Sequence, residues 1–154
     1  MKAMPRRTLI LLIITLGAVF AFLFWPGTSR GRMGAYLSSI PTERHPNFDP
    51  YEYKEAVFAI AKEHGFEVAD SITSDEDISK QTDEIFIPPS YRRQFSAGCT
   101  ATLYLCARED RMLAVYITYS RASEFDKWRI GRTMESIRRD LRPIQKAIHQ
   151  KKIK

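Results

Sequence analysis

Residues 99–119 read Cys-Thr-Ala-Thr-Leu-Tyr-Leu-Cys-Ala-Arg-Glu-Asp-Arg-Met-Leu-Ala-Val-Tyr-Ile-Thr-Tyr. Two runs with a period of two flank a charged turn, which is the pattern of β-strands joined in a hairpin. This stretch therefore predicts a long antiparallel hairpin with two distinct faces. The face with Leu, Val and Ile is expected to meet helices. The other face is amphipathic and carries Thr102, Tyr104, Tyr116 and Thr118.

Residues 50–64 are predicted to form a helix before this hairpin. Asp49 suits the N-cap, and Pro50 suits the first helical position because its missing N–H would have no partner there. Glu52 completes a capping-box pattern, and Gly65 is a natural stop. The predicted buried stripe consists of Tyr53, Ala56, Val57, Ile60 and Ala61.

The segment between this helix and the hairpin predicts two short strands and two loops. The strands are placed at residues 66–68 and 85–87, and Pro88-Pro89 is expected to end the second one. Residues 70–84 form an acidic polar stretch, and residues 90–98 are predicted to be a further loop.

The chain ends in a basic segment with helical periodicity. Ser120 or Ser123 can cap this helix, and Phe125 and Trp128 are predicted to start its apolar face. Pro143 cannot donate a hydrogen bond to the preceding turn, so a kink or a break is expected there. The apolar positions follow at alternating spacings of four and three: Ile130, Met134, Ile137, Leu141, Ile144 and Ile148.

Together these elements predict a small α+β domain over residues 50–154. An antiparallel sheet packed against two helices, in two layers and in the order α-β-β-β-β-α, accounts for the pattern best. A segment of this length suffices for one hydrophobic core and not for two. Residues 26–49 contain three prolines and three glycines and are predicted to be a linker.

Residues 8–25 carry no charge and follow Arg6 and Arg7 directly. At about 1.5 Å per residue, a helix of this length spans roughly 27 Å, close to the hydrocarbon thickness of a bilayer. A helix of a soluble domain would have a polar face, and this run has none. A cleaved signal peptide is the alternative, although residues 22–25 stay apolar where such a peptide turns polar. The run is predicted to be a retained transmembrane signal anchor.

The flanks of this anchor predict its direction. Residues 1–7 carry three basic side chains and the free amino terminus, whereas Arg30 and Arg32 follow the far end. Basic residues collect on the cytoplasmic side of membranes. Residues 1–7 are therefore expected in the cytoplasm, and the domain is expected on the extracytoplasmic side of a single-pass membrane protein.

The net charge of +6 is unevenly distributed along the chain. Residues 45–120 carry thirteen acidic and seven basic side chains, whereas residues 121–154 carry eleven basic and four acidic ones. We interpret the basic final helix as the solvated face of a core helix, with contact to anionic lipid heads or a partner as the alternative. Nucleic acid would require a domain inside the cell, and no nucleic-acid partner is predicted.

The sequence contains no motif of a metal or cofactor site. Asp75, Asp77, Ser79 and Asp83 resemble positions of a calcium loop, but Lys80 and Phe86 stand where that loop requires glycine and glutamate. The three histidines lack metal-ligand spacing, and no P-loop or dinucleotide fingerprint occurs. No metal, cofactor or catalytic residue is therefore predicted.

Cys99 and Cys106 are the two cysteines of the chain. An unbroken strand between them would hold their Cα atoms roughly 23 Å apart, far beyond the range of a disulfide. Both are interpreted as small, partly buried thiols. Cys99 with His64 is the one pairing that could support nucleophilic catalysis, and it lacks an evident orienting group.

The predicted function is a non-catalytic module that binds another protein, of inhibitor, immunity or assembly-accessory type. The alternatives are a membrane-anchored enzyme that uses Cys99 with His64, and a homo-oligomeric structural membrane protein paired through the stripe at 130–148. Aromatic and arginine side chains are enriched in interfaces, although tyrosines that merely cover the sheet are an equal alternative. The candidate interface residues are Tyr91, Arg92, Arg93, Phe95, Tyr104, Tyr116, Arg138 and Arg142.

Overall fold

The computed structural model describes residues 6–25, 30–38, 49–69, 84–108 and 113–151. The chain forms an α+β architecture with one five-stranded antiparallel sheet of order β1-β5-β4-β3-β2. The elements are helix α1 (Arg6–Phe24), strand β1 (Gly31–Ser38), a 3₁₀ turn (Pro50–Tyr53), helix α2 (Lys54–Glu63), strands β2 (Glu67–Val68), β3 (Glu84–Gln94), β4 (Thr100–Arg108) and β5 (Leu113–Ser120), and helices α3 (Glu124–Asp140) and α4 (Arg142–Lys151).

The antiparallel hairpin of β4 and β5 forms as the alternation in the sequence predicted, and it lies at the centre of the sheet. Leu103 pairs with Ile117, and Leu105 pairs with Val115. These four side chains are buried and belong to one core with the apolar sides of α2 and α3. The predicted face with leucine, valine and isoleucine therefore meets the helices.

Strand β1 lies inside the segment that composition predicted to be a linker over residues 26–49. It pairs along its length with β5, with Gly31 opposite Tyr119. Ala35 and Leu37 are buried in the main core. The sheet therefore has one more strand than predicted, and the folded domain includes residues that precede residue 50.

A glycine allows β1 to approach the ring of a tyrosine on β5. Gly34 lies opposite Tyr116, and a Cβ atom at Gly34 would lie 2.5 Å from Cε1 of that ring. An aromatic ring that packs over a cross-strand glycine compensates for the side chain that the glycine lacks. Gly34, one of the glycines that indicated a linker, is therefore needed for the packing of a strand.

Strand β3 is longer than the sequence predicted. It runs through Pro88 and Pro89, which are joined by a cis peptide bond. Its pairing with β4 shifts register between Ile87 and Tyr91, and proline is tolerated where a ladder is irregular. The loop predicted at 90–98 is therefore strand as far as Gln94.

The helix predicted over residues 50–64 forms as a 3₁₀ turn that continues into α2. Asp49 accepts a hydrogen bond from the backbone N–H of Tyr51 at 2.9 Å, and Gly65 ends the element with a φ of +73°. Phe58 is buried in the core, whereas Ala56, predicted to be buried, is exposed.

The final helix is divided in two, as Pro143 predicted. Helix α3 ends at Asp140, and α4 begins at Arg142. The apolar stripe is covered by the domain's own sheet, so it is not available to pair two copies of the chain. Its buried members are Ile130, Met134, Ile137, Leu141 and Ile148, and Ile144 packs against them.

Helix α1 contains one span, Arg7–Phe24, that is long and apolar enough to cross a membrane. None of this span is buried within the fold. Its last residue, Phe24, contacts Phe125 in the first turn of α3, with ring centroids 5.0 Å apart. The first turn of α3 therefore lies beside the end of α1.

Candidate functional site

The four aromatic residues predicted to form an interface are part of the packed interior. Tyr91 and Phe95 belong to the main core, and Tyr104 and Tyr116 to a second cluster, where they are 2% and 7% exposed. Such rings offer little surface to a partner. The burial of Tyr104 and Tyr116 agrees with the alternative that these tyrosines cover the sheet.

Phe95 lies between two arginine side chains. The Cζ atoms of Arg93 and Arg129 are 4.8 Å and 5.5 Å from its ring centroid. Arg93 donates a hydrogen bond to the carbonyl of His64 at 2.5 Å, and Arg129 donates one to the carbonyl of Phe95 at 2.6 Å. Burial and the neighbouring charge of Arg129 lower the pKa of Arg93. Arg93 therefore joins elements within the domain.

Tyr104 and Tyr116 lie on the sheet face that points away from the core of leucine, valine and isoleucine. Their ring centroids are 5.8 Å apart. The guanidinium carbon of Arg32 is 3.5 Å from the centroid of Tyr116 and 5.8 Å from that of Tyr104. Arg32, on β1, is thus part of a cation–π arrangement that packs this face.

The exposed candidates lie along one side of α3 and α4. Arg138 and Arg142 are exposed as predicted, whereas Arg92 is half-buried on β3. We call the exposed row that contains them the basic ridge. Its members are Arg138, Arg139, Arg142 and Lys146.

Arg138 of this ridge and the nearby Gln145 bind the outer edge of β1. Arg138 donates a hydrogen bond to the carbonyl of Gly34 at 2.7 Å, and Gln145 donates one to the carbonyl of Tyr36 at 2.8 Å. Edge strands expose backbone groups that can pair with other chains. Helices α3 and α4 therefore protect part of this edge.

The structure gives Cys99 and His64 different partners. His64 Nε2 lies 2.7 Å from Asp140 Oδ2, at the carboxyl end of α3. Cys99 is fully buried, and its pKa is raised by burial and then by the charge of Asp126, with Arg129 acting in the opposite direction. A protonated thiol is a poor nucleophile, so this geometry does not favour the enzyme alternative.

Asp126 is a buried carboxylate that the sequence reasoning did not single out. It accepts hydrogen bonds from Ser123 Oγ at 2.7 Å, from the Ser123 N–H at 3.2 Å and from Ser96 Oγ at 3.1 Å. Ser123 and Asp126 form a capping box, which confirms Ser123 as the cap of α3. The spacing of three between Ser123 and Asp126 was the signal in the sequence.

Among the described residues, no group of three or more histidine, cysteine, aspartate or glutamate side chains could hold a metal ion. The stretch that resembles a calcium loop, at residues 75–83, lies outside the described residues. Neither Cys99 nor Cys106 forms a disulfide, and both side chains are buried.

An aromatic surface lies where α1 meets α3. The rings of Phe125 and Trp128 stack with centroids 5.7 Å apart, and Phe24 contacts Phe125. Trp25 and Trp128 are 72% and 61% exposed, which differs from the expectation that Trp128 belongs to the apolar core face. We call this set of four residues the exit surface.

An open groove of about 480 Å³ adjoins the exit surface. It lies between β1 and α3, with Met33 on one side and Trp128 on the other. Arg132, Glu135 and Arg138 supply its charged rim. Arg138 and Glu135 lie 3.9 Å apart, and Arg132 is exposed one turn beyond Trp128.

Comparison with known protein families, curated proteins and solved structures found no significant match for this chain.

Proposed function

We propose that this chain is a single-pass membrane protein whose α+β domain binds another protein and catalyses no reaction. The supporting observation is helix α1, whose apolar span is exposed around its whole circumference. An exposed apolar surface of this size is unfavourable in water and favourable in a hydrocarbon layer. The contact of Phe24 with Phe125 then holds the domain at the membrane surface.

We propose that the amino terminus is cytoplasmic and the domain extracytoplasmic. Support comes from the excess of basic residues before α1. Reporters that are active only in the cytoplasm or only outside it can be fused in turn to the carboxyl terminus of the full chain. Activity of the extracytoplasmic reporter alone is expected, and activity of the cytoplasmic reporter alone would refute this orientation.

The basic ridge is the proposed contact surface for a protein partner. Arg139, Arg142 and Lys146 are exposed along it, and they project from helices that are fixed in the core by the buried stripe. Fixed positive charges suit a partner with an acidic surface, because complementary potentials favour encounter and register. The groups that could support catalysis, Cys99 and His64, are instead buried or bound to Asp140.

A photo-cross-linking amino acid at position 142 in native membranes tests this surface. We expect a protein adduct from position 142 and none from position 59, which is exposed on α2 and serves as the matched control. Reversing two ridge charges with Arg139→Glu and Lys146→Glu should abolish the adduct. Equal adducts from both positions, or no protein adduct from position 142, would contradict a partner at the ridge.

A further inference from the structure

We propose that the exit surface lies in the headgroup layer of the bilayer and that the adjoining groove binds the phosphate of an anionic phospholipid. This inference rests on the proposed membrane span of α1 and adds a lipid-binding site to it. The residues that carry it are Phe24 and Trp25 at the end of α1, Phe125 and Trp128 on α3, and Arg132 on the rim of the groove.

The end of α1 sets the depth of this surface. The apolar span Arg7–Phe24 ends at Phe24. If this span crosses the bilayer as proposed, Phe24 and Trp25 lie at the boundary between hydrocarbon and headgroups. Phe24 contacts Phe125, and Phe125 stacks on Trp128, which brings both α3 rings to the same level. Tryptophan is enriched at this boundary because its ring is apolar and its N–H is polar. The exposure of Trp128 is thereby explained.

Arg132 lies within reach of the headgroups. It follows Trp128 by four residues, which is about 6 Å along a helix, and each headgroup layer is roughly 5–8 Å thick. Arg132 lines the same groove as Trp128. A guanidinium on this rim can donate two hydrogen bonds to one phosphate.

The local charges favour an anionic ligand. Glu124 is paired with Lys127 at 2.6 Å, and this hydrogen bond raises the pKa of Lys127. The buried Asp126 is bound by serine side chains. Glu135 is the acidic residue of the groove, and Arg138 lies 3.9 Å from it. Arg132 is the cation that we assign to the lipid phosphate.

Fluorescence of Trp128 in the full-length chain provides the test. The chain has two tryptophans, so Trp25→Phe leaves Trp128 as the single fluorophore. The protein is reconstituted into nanodiscs of phosphatidylcholine, with or without phosphatidylglycerol, and a fraction of the lipid is brominated near the headgroup. We expect the emission of Trp128 to be blue-shifted and to be quenched by the brominated lipid. Both effects should be larger in nanodiscs that contain phosphatidylglycerol.

In discs with phosphatidylglycerol, Arg132→Gln should lower the ratio of protein with Trp128 at the headgroups to protein with Trp128 in water. The expected decrease, read from the quenching, is about fivefold, which corresponds to about 1 kcal/mol for one basic residue at an anionic surface. Lys62→Gln removes the same charge from the exposed side of α2, outside the proposed binding surfaces, and should leave the quenching unchanged. Circular dichroism with equal unfolding midpoints for both variants shows that the fold is retained.

The outcomes separate this inference from the proposed function. A protein that enters the discs but keeps an unquenched, water-exposed Trp128 refutes the lipid site and leaves the anchor intact; the exit surface would then be open to a protein partner. Equal quenching with and without phosphatidylglycerol refutes the anionic ligand. A protein that does not enter the discs refutes the membrane span and this inference together.

Discussion

The close approach of Gly34 to Tyr116 leads to a sharp prediction about stability. A Cβ atom at Gly34 would lie 2.5 Å and 2.6 Å from two carbons of the ring, whereas carbon atoms pack at about 3.5–4.0 Å. Gly34→Ala therefore forces the ring to withdraw by about 1 Å. Tyr104 and the guanidinium of Arg32 hold that ring from other sides.

The expected loss of unfolding free energy is about 0.5–2 kcal/mol. Overpacking of this kind costs about 1–3 kcal/mol, and replacing glycine by alanine returns about 0.5–1 kcal/mol through reduced backbone entropy. Gly131→Ala is the matched control, because a Cβ atom there meets no atom within 4 Å in the middle of α3. This control should stabilise the protein by about 0.5–1 kcal/mol.

Urea unfolding of the full chain in detergent micelles, followed by circular dichroism, measures both changes. Tyr116→Ala removes the ring, so Gly34→Ala in that background should stabilise the protein by about 0.5–1 kcal/mol. A Gly34→Ala variant as stable as the parent chain would refute the packing argument. So would an equal loss of stability with and without the ring of Tyr116.

Asp126→Asn should lower the unfolding free energy by about 2 kcal/mol, because a buried carboxylate loses charge-assisted hydrogen bonds from Ser123 and Ser96; an unchanged urea midpoint would contradict this. The raised pKa of Cys99 predicts that stability falls as the pH rises above the ordinary thiol value of 9.0, since the unfolded thiol loses its proton first. The slope of unfolding free energy against pH should be shallower in Cys99→Ala, and equal slopes would exclude a contribution from this thiol. Ile137→Ala should cost about 2–5 kcal/mol through a core cavity. The particle mass of Ile137→Ala, measured by light scattering, should equal that of the parent chain. If the variant instead changed from dimer to monomer with no loss of stability, the stripe would be a surface that pairs two copies of the chain.

Features with local causes could be predicted from the sequence. The β4–β5 hairpin follows from a period of two on both sides of a short turn, and both helix caps follow from side chains within three residues of their partners. The break before α4 follows from the missing N–H of Pro143.

Features that depend on distant parts of the chain could not be predicted. Strand β1 exists because β5 offers it an edge, and its own composition resembles that of a linker. The environment of Tyr104 and Tyr116 includes Arg32, which reaches both rings from the distant strand β1. Trp128 has helical spacing to the core residues, but it is exposed and stacks on Phe125, which contacts Phe24 of α1.

The position of β1 has a consequence for the order of folding during synthesis. β1 is the first strand to be synthesised, and its partner β5 is the last. Gly31 therefore cannot pair before Tyr119 has been synthesised. Pairings so distant in sequence form slowly because the intervening chain must first be ordered. The groups that bind the outer edge of β1, on Arg138 and Gln145, are made later still. In a chain anchored through α1, β1 would be held beside the bilayer while the hairpin forms, and joining the sheet would complete the domain.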